Sequence, residues 1–309
     1  MSAKMSAMTK GANLAITAAL AGLYLRGRPG PPLARSRWPQ VHRALARLTP
    51  SIRDVAEALR SSGFWEEAVV LDDHSLLDWI IDLVHEGRVL TAHDEAYPAR
   101  WRQVLGGGAP PALWVAGEWG RWGGLSVVGS RVLDDDASRF AEACGAVAVA
   151  QGLALVSGGA MGADSCAAAG ALACGDAARV VELLPRGILG ARDRVSSVAV
   201  AEPWADFSTA QAMERNALIY AFSPVAVVAH VRLREGGTWH GAVDALRRRL
   251  CIVAVREDGS PGARALAALG AVAFREPEQL VGLLQQAPPP AQPELFGLPR
   301  IRERQTAWV

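Results

Sequence analysis

The sequence predicts an α/β protein, a doubly wound parallel sheet preceded by a small all-helical module. Three observations carry that prediction. From residue 112 onward, short apolar runs rich in Val and Ala alternate with helical stretches. The runs are continuously apolar rather than alternating, as in strands covered on both faces. Gly-rich turns separate several runs from the helix that follows. The plainest case is Leu153–Asp164, LALVSGGAMGAD, where an apolar run breaks at Ser157-Gly158-Gly159 and restarts as a small-residue helix.

Taken in order, residues 1–10 are expected to be disordered, and a helix is expected over about 13–25. The apolar stretch Gly11–Leu25 is followed by Arg26, Arg28 and a Pro-rich segment without a small-residue cleavage site. That context argues for a buried or partner-facing helix rather than a secretory or membrane segment. RGRPGPPLARSRWP reads as a linker or extended arm, since Pro and Gly interrupt regular structure. Val41, Leu45, Leu48, Ile52, Val55 and Leu59 keep a helical period over 39–61. Residues 63–87 read as one or two short acidic amphipathic helices with Leu76, Leu77, Ile80, Ile81 and Val84 on the apolar face. The helical module ends near His93.

Tyr97-Pro98 and the GGGAPP turn then lead into a strand at Ala112–Ala116. Further strands are predicted at Leu125–Val128, Leu153–Val156, Arg179–Leu184, Val198–Ala201, Val225–Ala229, Cys251–Val255 and Ala271–Phe274. Helices are predicted at Asp136–Gln151, Ala163–Ala173, Ala210–Phe222, Thr238–Arg249, Pro261–Leu269 and Pro277–Leu284. The chain thus divides into a helical module with its linker (1–95), a sheet domain (96–285) and a Pro/Gln-rich tail (286–309) expected to be flexible.

With 309 residues, half of them apolar, a sizeable core can form. The formal net charge of +1 gives the whole chain no bias toward nucleic acid, but the charge is unevenly distributed. Residues 1–60 carry ten Lys or Arg against Asp54 and Glu57, and residues 61–96 carry nine acids against Arg88. These opposed blocks can neutralise one another within or between chains, or the basic block can meet phosphate. Cys144, Cys166, Cys174 and Cys251 show no CxxC spacing and read as small buried hydrophobes of a reducing, cytoplasmic compartment. The His residues show no metal-ligand spacing, so no metal is expected. No other cofactor is expected either.

In a doubly wound sheet, ligands lie outside the C-terminal ends of the strands. Four such places carry Gly-rich or polar residues. Gly129, Ser130 and Arg131 combine close backbone approach, a hydroxyl and a guanidinium suited to phosphate. Ser157, Gly158, Gly159, Gly162 and Asp164 form a turn at a helix start, where amides and the helix dipole attract anions. Asp164 either caps that helix or bonds a ribose hydroxyl. Arg215 and Asn216 sit beside an apolar helical run. Glu235, Gly236, Gly237 and Thr238 form a second glycine turn, with Thr238 as helix cap. There is no GxGxxG fingerprint, P-loop, nucleophile elbow or Ser/His/Asp set, so binding is indicated and catalysis is not.

At these residues the chain resembles the DNA-processing protein A family, also called DprA or Smf. The resemblance rests on YP at 97–98, PPALWVAG at 110–117, VVGSR at 127–131, LVSGGAMGAD at 155–164, RNALIYAFS at 215–223 and EGGTWHGAVDAL at 235–246 followed by IVAV. It implies an extended Rossmann-like domain that binds single-stranded DNA, forms a homodimer and loads a RecA-type recombinase onto incoming DNA during natural transformation, without catalysis. Three departures stand out. Met161 replaces a basic residue. Ala217 stands where the family has a second Arg. Ala229-His230 and Glu235-Gly236-Gly237 replace Glu-Ala and Ser-Gly-Ser. Losing two cations weakens phosphate contact, though Arg131, Arg186, Arg192, Arg194 and Arg215 remain. The family's C-terminal winged helix is not expected in the tail after 286, which is too short for one. Phosphates are expected on Arg131, Arg215 and the amides of 158–162 and 236–238, with Trp204 or Phe207 as stacking candidates that more simply read as core or rim residues. Two alternatives stay open: a nucleotide-binding or nucleotide-hydrolysing protein like the LOG-type members of the wider superfamily, and an assembly subunit of a repair or defence complex with a vestigial site.

Overall fold

The computed structural model describes residue 40 and residues 52–287 apart from 92, 93, 95, 111, 121, 122, 176, 190, 192–194, 201 and 202. The expected helix at 13–25, the Pro-rich linker, most of the helix at 39–51 and the tail from 288 lie outside the described residues.

The helical module contributes α1 (Ile52–Ser61), α2 (Trp65–Ala68), a 3-10 turn (Val69–Asp72) and α3 (His74–His85). α3 starts where the Asp73 side chain accepts from the Leu76 amide. Its apolar face is the predicted one: Leu76, Leu77 and Ile80 are buried against Val55 and Leu59 of α1. Trp114, Ile188 and Ala199 belong to the same cluster, so these helices share a core with the sheet.

The sequence prediction ends the module in helix and loop; the structure places a strand there, β1 (Val89–Thr91). It also forms a helix, α4 (Ala99–Leu105), in the stretch read as an irregular lead-in to the first strand. α4 starts directly after Pro98 and closes at Gly106, whose φ of 51° suits a helix stop.

The sheet domain then follows the predicted alternation: β2 (Ala112–Ala116), β3 (Gly124–Val128), α5 (Asp135–Ala150), β4 (Ala154–Ser157), α6 (Ala163–Ala173), β5 (Val180–Leu184), β6 (Ser196–Ala199), α7 (Thr209–Phe222), β7 (Val225–Val228), α8 (Gly236–Arg248), β8 (Ile252–Arg256), α9 (Pro261–Ala268), β9 (Val272–Phe274) and α10 (Gln279–Gln286). β6 begins two residues earlier than predicted because Ser196 and Ser197 pair with Val181 and Glu182 despite their polarity.

The nine strands run β1-β2-β6-β5-β4-β3-β7-β8-β9. All neighbours from β6 to β9 are parallel, and β2 alone runs against both β1 and β6. From β3 the chain winds one way through β4, β5 and β6 and the other way through β7, β8 and β9. The topological switch point therefore lies at the β3–β7 pair, where doubly wound sheets place their ligands.

Helices cover both faces. Leu125 and Val127 of β3, Leu155 of β4 and Val225 and Val227 of β7 pack under α5, α6 and α10. Their neighbours of opposite parity face α4, α7, α8 and α9. The Ala- and Gly-rich composition of α5 and α6 has a steric cause. A Cβ on Gly145 would lie 1.9 Å from the Ala167 carbonyl oxygen, and one on Gly170 would lie 1.9 Å from that of Glu142. The two helices therefore touch backbone to backbone. Cys144 is buried between these layers, and burial pushes its thiol well above the usual range. Cys174, expected inside, is exposed.

Candidate nucleic-acid interface

At the switch point three loops and one helix enclose a cavity of about 600 Å³. One wall is Gly129, Ser130, Arg131 and Val132 after β3, and another is Arg232, Glu235, Gly236, Gly237 and Thr238 after β7. α7 closes it with Arg215, Asn216, Ile219 and Tyr220, while Ala160 reaches it from the loop after β4 and Asp164 from the first turn of α6. All four sequence-predicted segments thus meet here, but they do not all present what the sequence suggested.

The loop after β4 is not an open anion cradle. The Gly158 amide donates to Asp164 Oδ2 at 2.8 Å, the Ala160 amide to the same oxygen at 3.4 Å, and the Gly159 amide to Ser157 Oγ at 3.3 Å. Ser157 is fully buried, and neither it nor Gly158, Gly159 or Gly162 lines the cavity. The expectation that these residues hold phosphate through free amides is therefore corrected: at Gly158, Gly159 and Ala160 the protein's own side chains accept from the amides, and Ser157 and Gly162 lie off the cavity lining. Asp164 is corrected as well, since it neither caps α6 nor offers its carboxylate outward. The N-cap of α6 is Gly162, without a side-chain cap. The glycines answer to packing: a Cβ on Gly162 would lie 2.3 Å from the Ser130 carbonyl oxygen, and one on Gly129 would lie 2.5 Å from Ala163 Cβ.

Arg215 lies beneath that loop. It is 8% exposed, and its Nη1 donates to the Leu183 carbonyl at 2.7 Å. A methyl group on Gly158 would come within 2.0 Å of that same nitrogen and 2.9 Å of Asp164 Oδ2, so glycine is required to admit the guanidinium. Burial lowers the Arg215 pKa, an effect opposed by the Asp164 and Glu182 carboxylates and reinforced by Arg131. Burial likewise raises Asp164 to about 6, with Arg215 and the amides of Ala160 and Gly158 pulling it back down. Arg215 is therefore a supporting cation under the loop, rather than the solvated charge or outward phosphate clamp that the sequence allowed.

Arg131 is the opposite case. It is exposed at the cavity mouth and makes no hydrogen bond or ion pair with a described residue. Ser130 is held in place: its amide donates to the His230 carbonyl at 3.0 Å, and its Oγ lies 2.9 Å from His230 Nδ1. Thr238 is not the cap of α8, which starts after Glu235; its Oγ1 donates to the Gly129 carbonyl at 2.8 Å and ties the two walls together. Asn216 Nδ2 makes a long contact of 3.5 Å with the Gly237 carbonyl. Glu235 is engaged with Arg232 at 3.0 Å. Gly236, Gly237 and Thr238 line the cavity from the first turn of α8, whose amides lack intrahelical acceptors and carry the positive end of the helix dipole.

Of the other cations named from sequence, Arg186 does not line the cavity, and Arg192 and Arg194 lie outside the described residues. Phe207 does line it, whereas Trp204 packs 6.2 Å from Trp79 at the helical module. Sequence reasoning missed Glu182, which approaches Gly159 from β5: a Cβ on that glycine would lie 2.8 Å from Glu182 Oε2. A lone carboxylate inside the apolar run VVELL was the available signal. His230 and Arg232 were missed too; neither falls in a glycine turn. Among the described residues no cluster of His, Cys, Asp and Glu is arranged to hold a metal ion, and no helix is long and apolar enough to cross a membrane.

A family model described as DNA recombination-mediator protein A matches residues 88–285, from β1 to α10. The chain belongs to that family. Among solved structures, DNA processing protein A (DprA) from Streptococcus pneumoniae superposes with a TM-score of 0.62 at 18% identity, covering 87% of this chain and 97% of that one. DNA processing protein A from Helicobacter pylori, whose structure concerns its single-stranded DNA binding mode, gives a TM-score of 0.52 at 18% identity, covering 64% of this chain and 99% of that one. No curated protein matches the sequence. The Rossmann-like α/β fold is thus that of the DprA proteins. Of the departures from the family pattern, Met161 is 75% exposed beside Ala160, and Ala217 is partly buried against the α8–β8 core.

Proposed function

We propose that this DprA-family protein binds single-stranded DNA at the switch-point cavity and acts there as a recombination mediator, holding the strand for a RecA-type recombinase. It works by binding rather than by turnover. The observation that carries this reading is the convergence on one cavity of an unpaired exposed arginine, Arg131, and the amide-rich first turn of α8, within a domain matched along its length by the family model. The single-stranded DNA binding named for the H. pylori relative supports it. The cation count is small, so affinity should rely on several weak phosphate contacts along the strand and fall as salt rises. A homodimer would double the contacts available to one strand, and a cytoplasmic location follows from the proposed partner.

The test is a binding titration of the full chain with oligo-dT, a duplex of equal length and ATP as competitor, repeated across salt concentrations. Preference for the single strand with a steep negative salt slope is the expected result. Failure to bind either polymer would refute the reading. Retention of ATP alone would favour a nucleotide-binding role instead.

A further inference from the structure

Where the helical module meets the β1 edge of the sheet, three tryptophans form a ladder. The Trp79 and Trp114 rings stack at 6.0 Å, and Trp204 follows Trp79 at 6.2 Å. A recess opens on each side of Trp79. The one toward Trp204 measures about 350 Å³, and the one toward Trp114, lined also by Leu189 and Pro203, about 100 Å³. Trp79 and Leu189 are 38% and 58% exposed, so the groove presents aromatic and apolar surface to solvent. A second, independent feature lies at its base. Trp114 is 1% exposed and lines the smaller recess, and its indole N–H is buried without an acceptor. Buried donors are ordinarily satisfied, so this one marks the place of an incoming carbonyl. The rim is acidic. Asp78 and Asp82 flank Trp79 on α3, are exposed, and make no hydrogen bond or ion pair with a described residue.

An aromatic groove, an unpaired indole donor and an acidic rim fit a basic, proline-rich peptide. A polyproline backbone makes no internal hydrogen bonds, so its carbonyls are free to accept, and its rings pack on aromatic walls. The chain carries such a segment. Residues 26–39, RGRPGPPLARSRWP, hold Arg26, Arg28, Arg35 and Arg37 and no acid. Pro29 and Pro32 stand three residues apart, one polyproline turn, and so share a face. The segment precedes α1, whose Val55 and Leu59 share a core with Trp114. Extended, it spans about 40 Å, against about 18 Å for the whole of α3, so reach does not limit it. The other run of prolines, 288–290, follows α10, which packs with Phe274 of β9 at the opposite edge of the sheet. We infer that residues 26–39 dock on the Trp79 groove of their own chain. Proline rings fill the two recesses, a backbone carbonyl accepts from Trp114 Nε1, and the arginines face Asp78 and Asp82. The opposed charge blocks of the sequence then neutralise one another within the chain.

The experiment is limited trypsin digestion of the full chain, with cleavage after Arg35 and Arg37 followed by mass spectrometry. A docked arm is cut only when it lifts off, so the rate reports the undocked population. Trp79→Ala should speed both cuts about tenfold, the effect of losing one aromatic anchor. Asp78→Lys combined with Asp82→Lys changes only exposed charges and should speed them as well, without lowering the melting temperature. Added salt should speed the cuts in wild type and not in that variant. A second arm of the test asks what the groove accepts. In the full chain with Pro29→Ser and Pro32→Ser the groove is vacated, and a labelled peptide of residues 26–39 should bind it by anisotropy. Adding Trp79→Ala should abolish that binding. Equal cleavage rates in wild type and both groove variants overturn the inference, as does a peptide that ignores the vacated groove. Protection that grows with protein concentration assigns the arm to a second copy and overturns docking within the chain; protection independent of concentration supports it.

Discussion

Replacing Arg131 and Arg215 one at a time should separate support of the site from use of it. Arg215→Ala removes a guanidinium that is 8% exposed, leaves the Leu183 carbonyl without its 2.7 Å donor, and takes away a positive charge that interacts with two buried carboxylates, Asp164 and Glu182. Breaking a buried charge arrangement by deleting one partner costs about 3–5 kcal/mol. Asp164, already raised to about 6, relieves part of that cost by holding its proton to still higher pH, so the low end, about 3 kcal/mol, applies. For a domain of this size that is a fall in Tm of about 6–12 °C. Arg131→Ala removes an exposed side chain without partners among the described residues, so Tm should move by no more than about 2 °C. The same variant should make the log–log salt slope of oligo-dT binding shallower by about 0.7, the share of one neutralised phosphate on a single strand. Calorimetry and anisotropy at several salt concentrations read both quantities. An Arg215→Ala protein melting within about 2 °C of wild type, or an Arg131→Ala protein with an unchanged slope, would refute this division. A control follows from coupling: Arg215→Met combined with Asp164→Asn should be less destabilising than the sum of the two changes, since the pair then leaves one fewer uncompensated charge.

Further outcomes follow from the same geometry. Asp164 titrates near 6 in the folded protein against 3.8 unfolded, so the folded state binds the extra proton and stability should fall as pH rises through about 4 to 6 and level above it; denaturant melts of wild type and Asp164→Asn across that window should differ by this slope. Gly158→Ala should push the Arg215 guanidinium off the Leu183 carbonyl and lower stability by about 1–3 kcal/mol, read by thermal unfolding. Gly170→Ala should force α5 and α6 apart against a backbone carbonyl and cost at least as much, with no direct effect on the cavity lining. Tyr220→Phe removes a buried hydroxyl without a partner, so the ligand-free protein should be as stable as wild type or more so by about 1 kcal/mol.

What the sequence made legible follows from where its information is local. β4 and α6 were readable because an apolar run, a glycine break and an Ala-rich helix sit within one window of chain, and the observed helix is the predicted Ala163–Ala173. β1 was not, because three residues, Val-Leu-Thr, show no period and gain strand character only by pairing with Leu113 and its neighbours more than twenty positions away. α4 was hidden by Pro98 and the three glycines at 106–108, which punctuate a real helix here rather than replacing it. The site divides the same way. Its location was legible because the switch point depends on strand order and the punctuated strand ends mark it. Its inner workings were not. Nothing near position 164 says that its carboxylate turns back six residues to take the Gly158 amide, nor that a partner for Arg215 comes from β5 through Leu183 and Glu182. The one hint lay in α7 itself. Arg215 stands three and four residues before Leu218 and Ile219, both of which are buried, so the helical period places it on the inward face. A charge on an inward face must be matched from elsewhere in the fold. That requirement, applied to Arg215 and to Glu182 within its apolar strand, marks both as inward charges that need matching from elsewhere in the fold, and leaves Arg131 as a cation available to a ligand.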